Sequence, residues 1–308
     1  MQNKFLYHMR RVKEVQKSVA AALERGAWRR GDHVAIEEGY TGLAENPECG
    51  AIVFGIGGGT GPLGARTIMD DYTKAGRQII FIDKGYTRKN TFRVAVNGFH
   101  PTQYLMKLNC LNGRFDAANL IVKPYPKTPR GDYILFDGAS QKYCNFMKLG
   151  DQLDWGISVL KTIRAHSDRN IAYRPRPTHN RVDEDIILER LCQEKLTNVR
   201  LDVGPVAESI EDAYTVVSHG GNIGWEAALA GKPNFIIHDS IARPVAETEW
   251  SRLDKALVPT EELRRRWMYN VMHCQWTINE FADGTAWEHI QVQLKMSRGI
   301  LPWTGIGI

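Results

Sequence analysis

The sequence predicts an α/β protein built from two doubly wound domains, and three observations predict it. Short apolar runs alternate with longer amphipathic segments along most of the chain. Two of those runs end in glycine-rich turns that lead straight into helical segments. The 308 residues are also enough to bury two separate cores.

Residues 4–25 read as a basic helix, followed by a short polar stretch with glycine. The runs Ala51–Ile56, Gln78–Asp83, Tyr133–Asp137, Ile171–Arg174, Tyr214–Val217 and Asn234–His238 read as parallel strands. Such strands are covered on both faces, so they are apolar throughout instead of alternating. Helices are expected between several of them, at Arg66–Ala75, Gln152–His166, Asp183–Glu194 and Ile223–Ala230. Pro124, Pro126 and Pro129 make Lys123–Arg130 unfit for a helix or a central strand, so this segment is the expected linker. The expected domains are therefore residues 1–130 and 131–260. A helical tail, 261–308, would pack back across both. Several tryptophans mark the last stretch, among them Trp250, Trp267, Trp276 and Trp287.

Hydrophobic residues at 43% and charged residues at 24% exclude a disordered chain. No apolar run approaches the roughly 20 residues that span a bilayer. The N-terminus lacks the apolar core and cleavage site of a secretory signal. The five cysteines are scattered and without a CxxC pair, which argues against a disulfide framework or zinc site and for a cytoplasmic setting. A net charge of +5 suits an anionic partner, either sugar-nucleotide phosphates or a DNA backbone, although a solvated surface accounts for it equally well.

The first glycine-rich turn runs from Gly55 to Gly64. Gly59, Gly61 and Gly64 fit G-x-G-x-x-G, and Asp83 closes the next strand about 20 residues on, where a ribose-binding acid would sit. Gly58, Gly59, Thr60 and Gly61 are accordingly candidates for a phosphate-contacting loop. An NAD(P)-dependent oxidoreductase is the alternative reading that this motif keeps open. GGGTG also resembles the phosphate loop of the tubulin and bacterial cell-division GTPases. Pro62 and the lack of an Asn-x-Asp loop depart from that family.

The second turn lies in VVSHGGNIGWEAALAGKPNFI, residues 216–236. A strand ends at Ser218-His219, two glycines turn the chain, and a helix opens near Asn222 with Glu226 one turn in. Exposed backbone N–H groups at such a turn suit an anion. This segment resembles the donor-binding signature of GT-B glycosyltransferases, which sugar-nucleotide epimerases share. The resemblance implies two Rossmann-like domains facing a cleft. It also implies that Gly220, Gly221 and Asn222 line a diphosphate and that Glu226 binds the ribose. Asp137, Ser140 and Lys142 follow the first strand of the second domain, where open α/β sheets bind ligands. Arg174 and Arg176 end another strand and would neutralise the departing nucleotide. His219 completes the donor set.

Along its length the chain resembles proteins associated with tailed bacteriophages, in IDKGYTRKNTFRVAVNGFHP, YILFDGASQKYC, SHGGNIGWEAALAGKP and CQWTINEFADGTAWEHI. The resemblance implies a hydroxymethylated pyrimidine of phage DNA as acceptor. Lys84, Arg88, Lys89 and Arg93, beside Tyr86 and Phe92, would then meet double-stranded DNA. Glycosyl transfer needs a base for the acceptor hydroxyl. Asp83 is the first candidate, His100 the second, and His219 a third. No Asp-x-Asp pair of the metal-holding kind stands out, so a metal-independent mechanism is expected. Its only small-molecule requirement would be a UDP-, GDP- or CMP-type sugar donor.

Overall fold

The computed structural model describes residues 2–9, 14–56, 64–87, 90–176, 183–255 and 257–297. It forms two compact units. One takes the chain up to Arg114 and again from Met268, and the other takes Phe115–Trp267.

The first unit opens with β1 (Lys4–Met9), α1 (Glu14–Arg29), β2 (His33–Glu38), β3 (Gly50–Phe54), α2 (Ala65–Lys74), β4 (Ile79–Lys84) and β5 (Thr91–Val96). The one-turn helices α3 (Thr102–Leu105) and α4 (Gly113–Asp116) follow. Residues 4–9 are thus a strand and not the beginning of a helix. Phe5, Tyr7 and Met9 repeat with the period of two that a strand requires, and they share a core with Val19, Leu23 and Ala27 of α1. The strands β2, β1, β3 and β4 run parallel. β5 pairs antiparallel with β4.

The second unit contains β6 (Tyr133–Asp137), α5 (Gln141–Met147), α6 (Gln152–His166), β7 (Asn170–Arg174), α7 (Glu184–Gln193), β8 (Val199–Leu201), α8 (Val206–Asp212), β9 (Ala213–Ser218), α9 (Ile223–Leu229) and β10 (Asn234–Ile236). α10 (Glu261–Met272) begins in this unit. The sheet is wholly parallel in the order β10-β9-β6-β7-β8. The chain therefore leaves β6 toward β7 and β8, then crosses back to β9 on the opposite side. That reversal creates a crevice between the carboxyl ends of β6 and β9. α6 starts where expected because the Asp151 carboxylate accepts from the Leu153 and Asp154 amides.

Lys123–Arg130 is not a free linker. The Lys123 amide donates to the Leu229 carbonyl at 2.8 Å, and the wholly buried Arg264 donates to the carbonyls of Lys123 (2.8 Å) and Leu229 (3.0 Å). The prolines do keep it out of helix and sheet, but a buried guanidinium satisfies carbonyls that would otherwise need water. Its place is inside the second unit, which begins at Phe115 and not after residue 130.

The C-terminal stretch, expected to be helical, also contains a strand. It adds β11 (Gln275–Thr277), α11 (Ile278–Ala282) and α12 (Thr285–Met296) to the first unit. β11 pairs antiparallel with β5, which completes a sheet of order β11-β5-β4-β3-β1-β2. Trp276 and Trp287 enter the core around Phe5, while Trp267 packs on Trp225 in the second unit. Among the described residues no helix is long and apolar enough to cross a membrane.

Candidate nucleotide site

Three neighbouring strands of the second unit deliver polar residues to one edge. Asp137 ends β6, and its register partners are Arg174 of β7 and Ser218 of β9. All three strands are parallel, so these residues share the carboxyl edge at the reversal point, with the two adjoining turns, Gly138–Ser140 and His219–Asn222, beside them.

Asp137 is wholly buried. Its Oδ2 accepts from Arg176 Nη2 at 2.9 Å, and its Oδ1 has no hydrogen-bond partner among the described residues. Burial raises its carboxyl above the ordinary aspartate range, with the positive charge of Arg176 and then of Arg174 opposing the rise. Arg176 keeps 42% of its side chain exposed. Arg174 is committed elsewhere, to Asp202 at 2.9 Å and to the Gly204 carbonyl at 2.7 Å. Of the two arginines, Arg176 is the more exposed, at 42% of its side chain against 22% for Arg174.

The His219–Asn222 turn lies against this pair. A Cβ on Gly221 would sit 3.3 Å from Asp137 Oδ2 and 3.5 Å from Arg176 Nη2. Gly220 has φ +143°, and a Cβ there would come within 2.4 Å of the Asp239 carbonyl oxygen. Only glycine takes both that dihedral and that approach. Glu226 stands on the exposed side of α9. Its carboxyl is raised first by partial desolvation and then by repulsion from Asp137, with Arg176 and Arg174 opposing, so all four groups share one electrostatic neighbourhood.

His219 is buried, and its Nδ1 lies 3.3 Å from the Asp137 carbonyl oxygen. A carbonyl only accepts, so Nδ1 carries the proton. Burial, then the Arg176 charge, lower its pKa to about 4. It is a neutral ring enclosed by protein and poorly suited to be the catalytic base. Beneath the turn is a group the sequence did not reveal. The Tyr143 hydroxyl lies 3.3 Å from the His219 carbonyl oxygen and 3.3 Å from His238 Nδ1, and the Trp155 ring packs near both histidines. His238 follows β10 at the same carboxyl edge, so the strand-end rule applied to that strand would have found it.

Three further expected donor residues lie at or near helix starts. The Ser140 hydroxyl accepts from the Tyr143 amide as the cap of α5. Lys142 is exposed on that helix. Asn222 takes the N-cap position of α9 without a side-chain cap bond. Asp183-Glu184-Asp185, an Asp-x-Asp triplet by spacing, caps α7: the Asp183 carboxylate accepts from the Ile186 amide. Among the described residues no group of three or more His, Cys, Asp or Glu is placed to hold a metal.

In the first unit, Gly58, Gly59, Thr60, Gly61, Arg88 and Lys89 lie outside the described residues. Asp83 is the penultimate residue of β4, half buried, and is the register partner of Arg93 on β5. Its Oδ2 accepts from Arg93 Nη2 at 3.2 Å, and its Oδ1 accepts from the Lys84 amide. Arg93 is buried over the Phe99 ring at 4.5 Å, which removes it from the expected DNA-contacting set. His100 is also buried, with Arg93 Nη1 and the Tyr86 hydroxyl each 2.8 Å from its Nδ1. Arginine has no acceptor, so this nitrogen must accept, and His100 is an internal partner of Arg93 and not an open base. Lys84 is exposed.

No protein-family model matches the chain, and no curated protein matches it. Solved structures do. The β-Kdo 2,7 transferase of Thermosulfurimonas dismutans KpsC is 13% identical, with 95% of this chain and 100% of that chain covered and a TM-score of 0.54. The β-Kdo 2,4 transferase of the same KpsC is 13% identical over 87% and 90%, with a TM-score of 0.46. A UDP co-structure of S. aureus MnaA is 12% identical over 97% and 98%, with a TM-score of 0.32. At these identities the first likeness bears on fold alone and the other two carry no argument. The fold is the expected one, a GT-B-type α/β chain with two Rossmann-like units.

Proposed function

We propose that the chain is a glycosyltransferase whose nucleotide-activated donor binds at the carboxyl edge of the second unit. One observation carries the reading: Arg176, the Gly220–Gly221 turn and Glu226 come together at the carboxyl edge of the paired strands β6 and β9, where the strand order reverses. Backbone N–H groups of the turn and the Arg176 guanidinium offer donors to phosphate oxygens, and Glu226 offers acceptors to a ribose diol. A preorganised guanidinium favours the charge that grows on the departing nucleotide. Asp83 is the proposed base on the first unit, because its carboxylate is the candidate there that reaches solvent. The acceptor is proposed to be a hydroxyl group. A hydroxymethylated pyrimidine of DNA now draws on Lys84 among the described residues, without Arg93.

The oxidoreductase reading is less well supported. The glycine motif follows β3, whereas a dinucleotide fingerprint occupies the first strand-to-helix turn. A sugar-nucleotide epimerase would use the same donor site and differs in product. The test is thermal stabilisation by UDP, GDP, CMP and NAD(P), each with Glu226→Ala and Asp83→Ala. Stabilisation by a nucleotide that is lost in Glu226→Ala supports the donor site, and a sugar-nucleotide assay with and without hydroxymethylated DNA then separates transfer from epimerisation. Stabilisation by NAD(P) alone, lost in Asp83→Ala, refutes it.

A further inference from the structure

The donor reading leaves one feature unexplained: a carboxylate buried at the heart of a site meant for an anion. Asp137 would repel a phosphate directly, and its side chain is only 1% exposed. What it touches is the cation. Its Oδ2 accepts from Arg176 Nη2 at 2.9 Å, while Arg176 itself stays 42% exposed. Arg176 lies just past the end of β7 and would otherwise sample many rotamers. The backbone of Gly221 passes over the pair, close enough that a Cβ would sit 3.3 Å from the carboxylate and 3.5 Å from the guanidinium.

We propose that Asp137 is a positioning residue: its enclosed carboxylate anchors one edge of the Arg176 guanidinium beneath the Gly220–Gly221 turn. The remaining N–H groups then face a phosphate of the nucleotide donor. This rests on the donor-site reading. Arginine has five N–H donors in a rigid fork, so committing one to Asp137 orients the others. The gain is preorganisation, since the cation needs no reordering when charge develops on the leaving group.

The role separates cleanly from a merely electrostatic one. A carboxylate acting only by its charge weakens phosphate binding, so both Asp137→Ala and Asp137→Asn would then bind nucleotide more tightly. A positioning carboxylate predicts the opposite for alanine. Asparagine keeps an oxygen that accepts from Arg176 and so rescues binding. Isothermal titration of the full chain with UDP, GDP and CMP tests this on wild type, Asp137→Ala, Asp137→Asn, Arg176→Ala and the Asp137→Ala/Arg176→Ala double variant. Asp137→Ala should weaken the nucleotide that binds wild type about 10- to 100-fold, the worth of a charge-assisted hydrogen bond. Asp137→Asn should stay near wild type, and the double variant should bind no more weakly than Arg176→Ala. Asp137→Ser, too short to reach the guanidinium, replaces alanine if that variant does not fold. Unchanged or tighter binding by Asp137→Ala, or additive losses in the double variant, would overturn the inference and leave the donor site standing. Wild type that binds none of the three nucleotides overturns both.

Discussion

Arg176→Met would leave the Asp137 carboxylate buried with no counter-charge in bonding distance. Asp137 is 0% exposed, its Oδ1 has no partner among the described residues, and Oδ2 is held by Arg176. Removing one member of a buried ion pair typically costs about 3–5 kcal/mol. Solvent reaches Arg176, so the cost falls below that range, to roughly 2–3 kcal/mol. For a unit of this size that corresponds to roughly 4–12 °C in melting temperature. The sign of the pH dependence follows from the carboxyl. Its folded pKa is raised, so the native state binds more protons than the unfolded state above about pH 3.9. Its contribution to stability therefore falls as pH rises from there through the folded pKa. Loss of Arg176 raises that pKa further. The deficit of Arg176→Met should be large at pH 7.5 and small at pH 4.5. His219, whose charged form Arg176 also disfavours, moves the same way. Asp137→Asn/Arg176→Met isolates the carboxylate and should recover most of the loss at pH 7.5. The assay is calorimetric melting of the four proteins at both pH values. An equal deficit at the two pH values, with no recovery in the double variant, would refute the stranded-charge account.

Other expectations concern packing and protonation. His219 and His238 have folded pKa values lowered to about 4 by burial, so the unfolded state takes up protons first as the solution is acidified. The second unit should lose stability between about pH 6.5 and 4 at up to about 1.4 kcal/mol per pH unit per histidine, and His238→Gln should flatten that slope in melting curves. Gly220→Ala should cost about 1–3 kcal/mol in urea unfolding, because a Cβ must displace the Asp239 carbonyl at a dihedral that side chains avoid. Arg93→Met should destabilise the first unit by about 2–4 kcal/mol, since Asp83 and His100 lose a shared donor inside the protein. Arg93→Lys should restore little, as an ammonium cannot reach both partners in the plane of the ring contact.

Much of the second unit was legible because its strands are covered on both faces and its helices carry clear boundaries. Gln152–His166 was read to the residue, and the structure adds Asp151 as its cap. Ile223–Leu229 was read to within one. The first unit was less legible for physical reasons. Lys4–Met9 is only six residues and runs closely into a long helix, so its period of two was absorbed into the helical pattern. β5 carries Arg93 in its middle, a charge that reads as surface until the Asp83 partner across the strand pair is known. β11 is three residues long and exists by pairing with a strand far back in the chain. The same limit applied to the site. Residue type and strand-end position pointed to Asp137 and Arg176, and the family resemblance to Glu226, but nothing pointed to the division of labour between Arg174 and Arg176, which depends on Asp202 arriving from the end of β8.

The two strand-end aspartates show how one sequence feature acquires two meanings from topology. Asp83 lies at the last but one position of β4 and Asp137 at the last position of β6, and each pairs with an arginine. In the first unit the arginine comes from an antiparallel neighbour, directly opposite in the register, so its guanidinium is drawn into the sheet and capped by aromatic rings. The cation is buried and the carboxylate is the member that meets solvent. In the second unit the arginine lies two residues past the end of a parallel neighbour, beyond the last rung of the ladder. There the carboxylate is buried and the cation meets solvent. A solvent-facing carboxylate can take a proton from a hydroxyl, and a solvent-facing guanidinium can meet a phosphate. The proposed division, with the base on the first unit and the donor on the second, matches the partner that each strand order leaves uncovered.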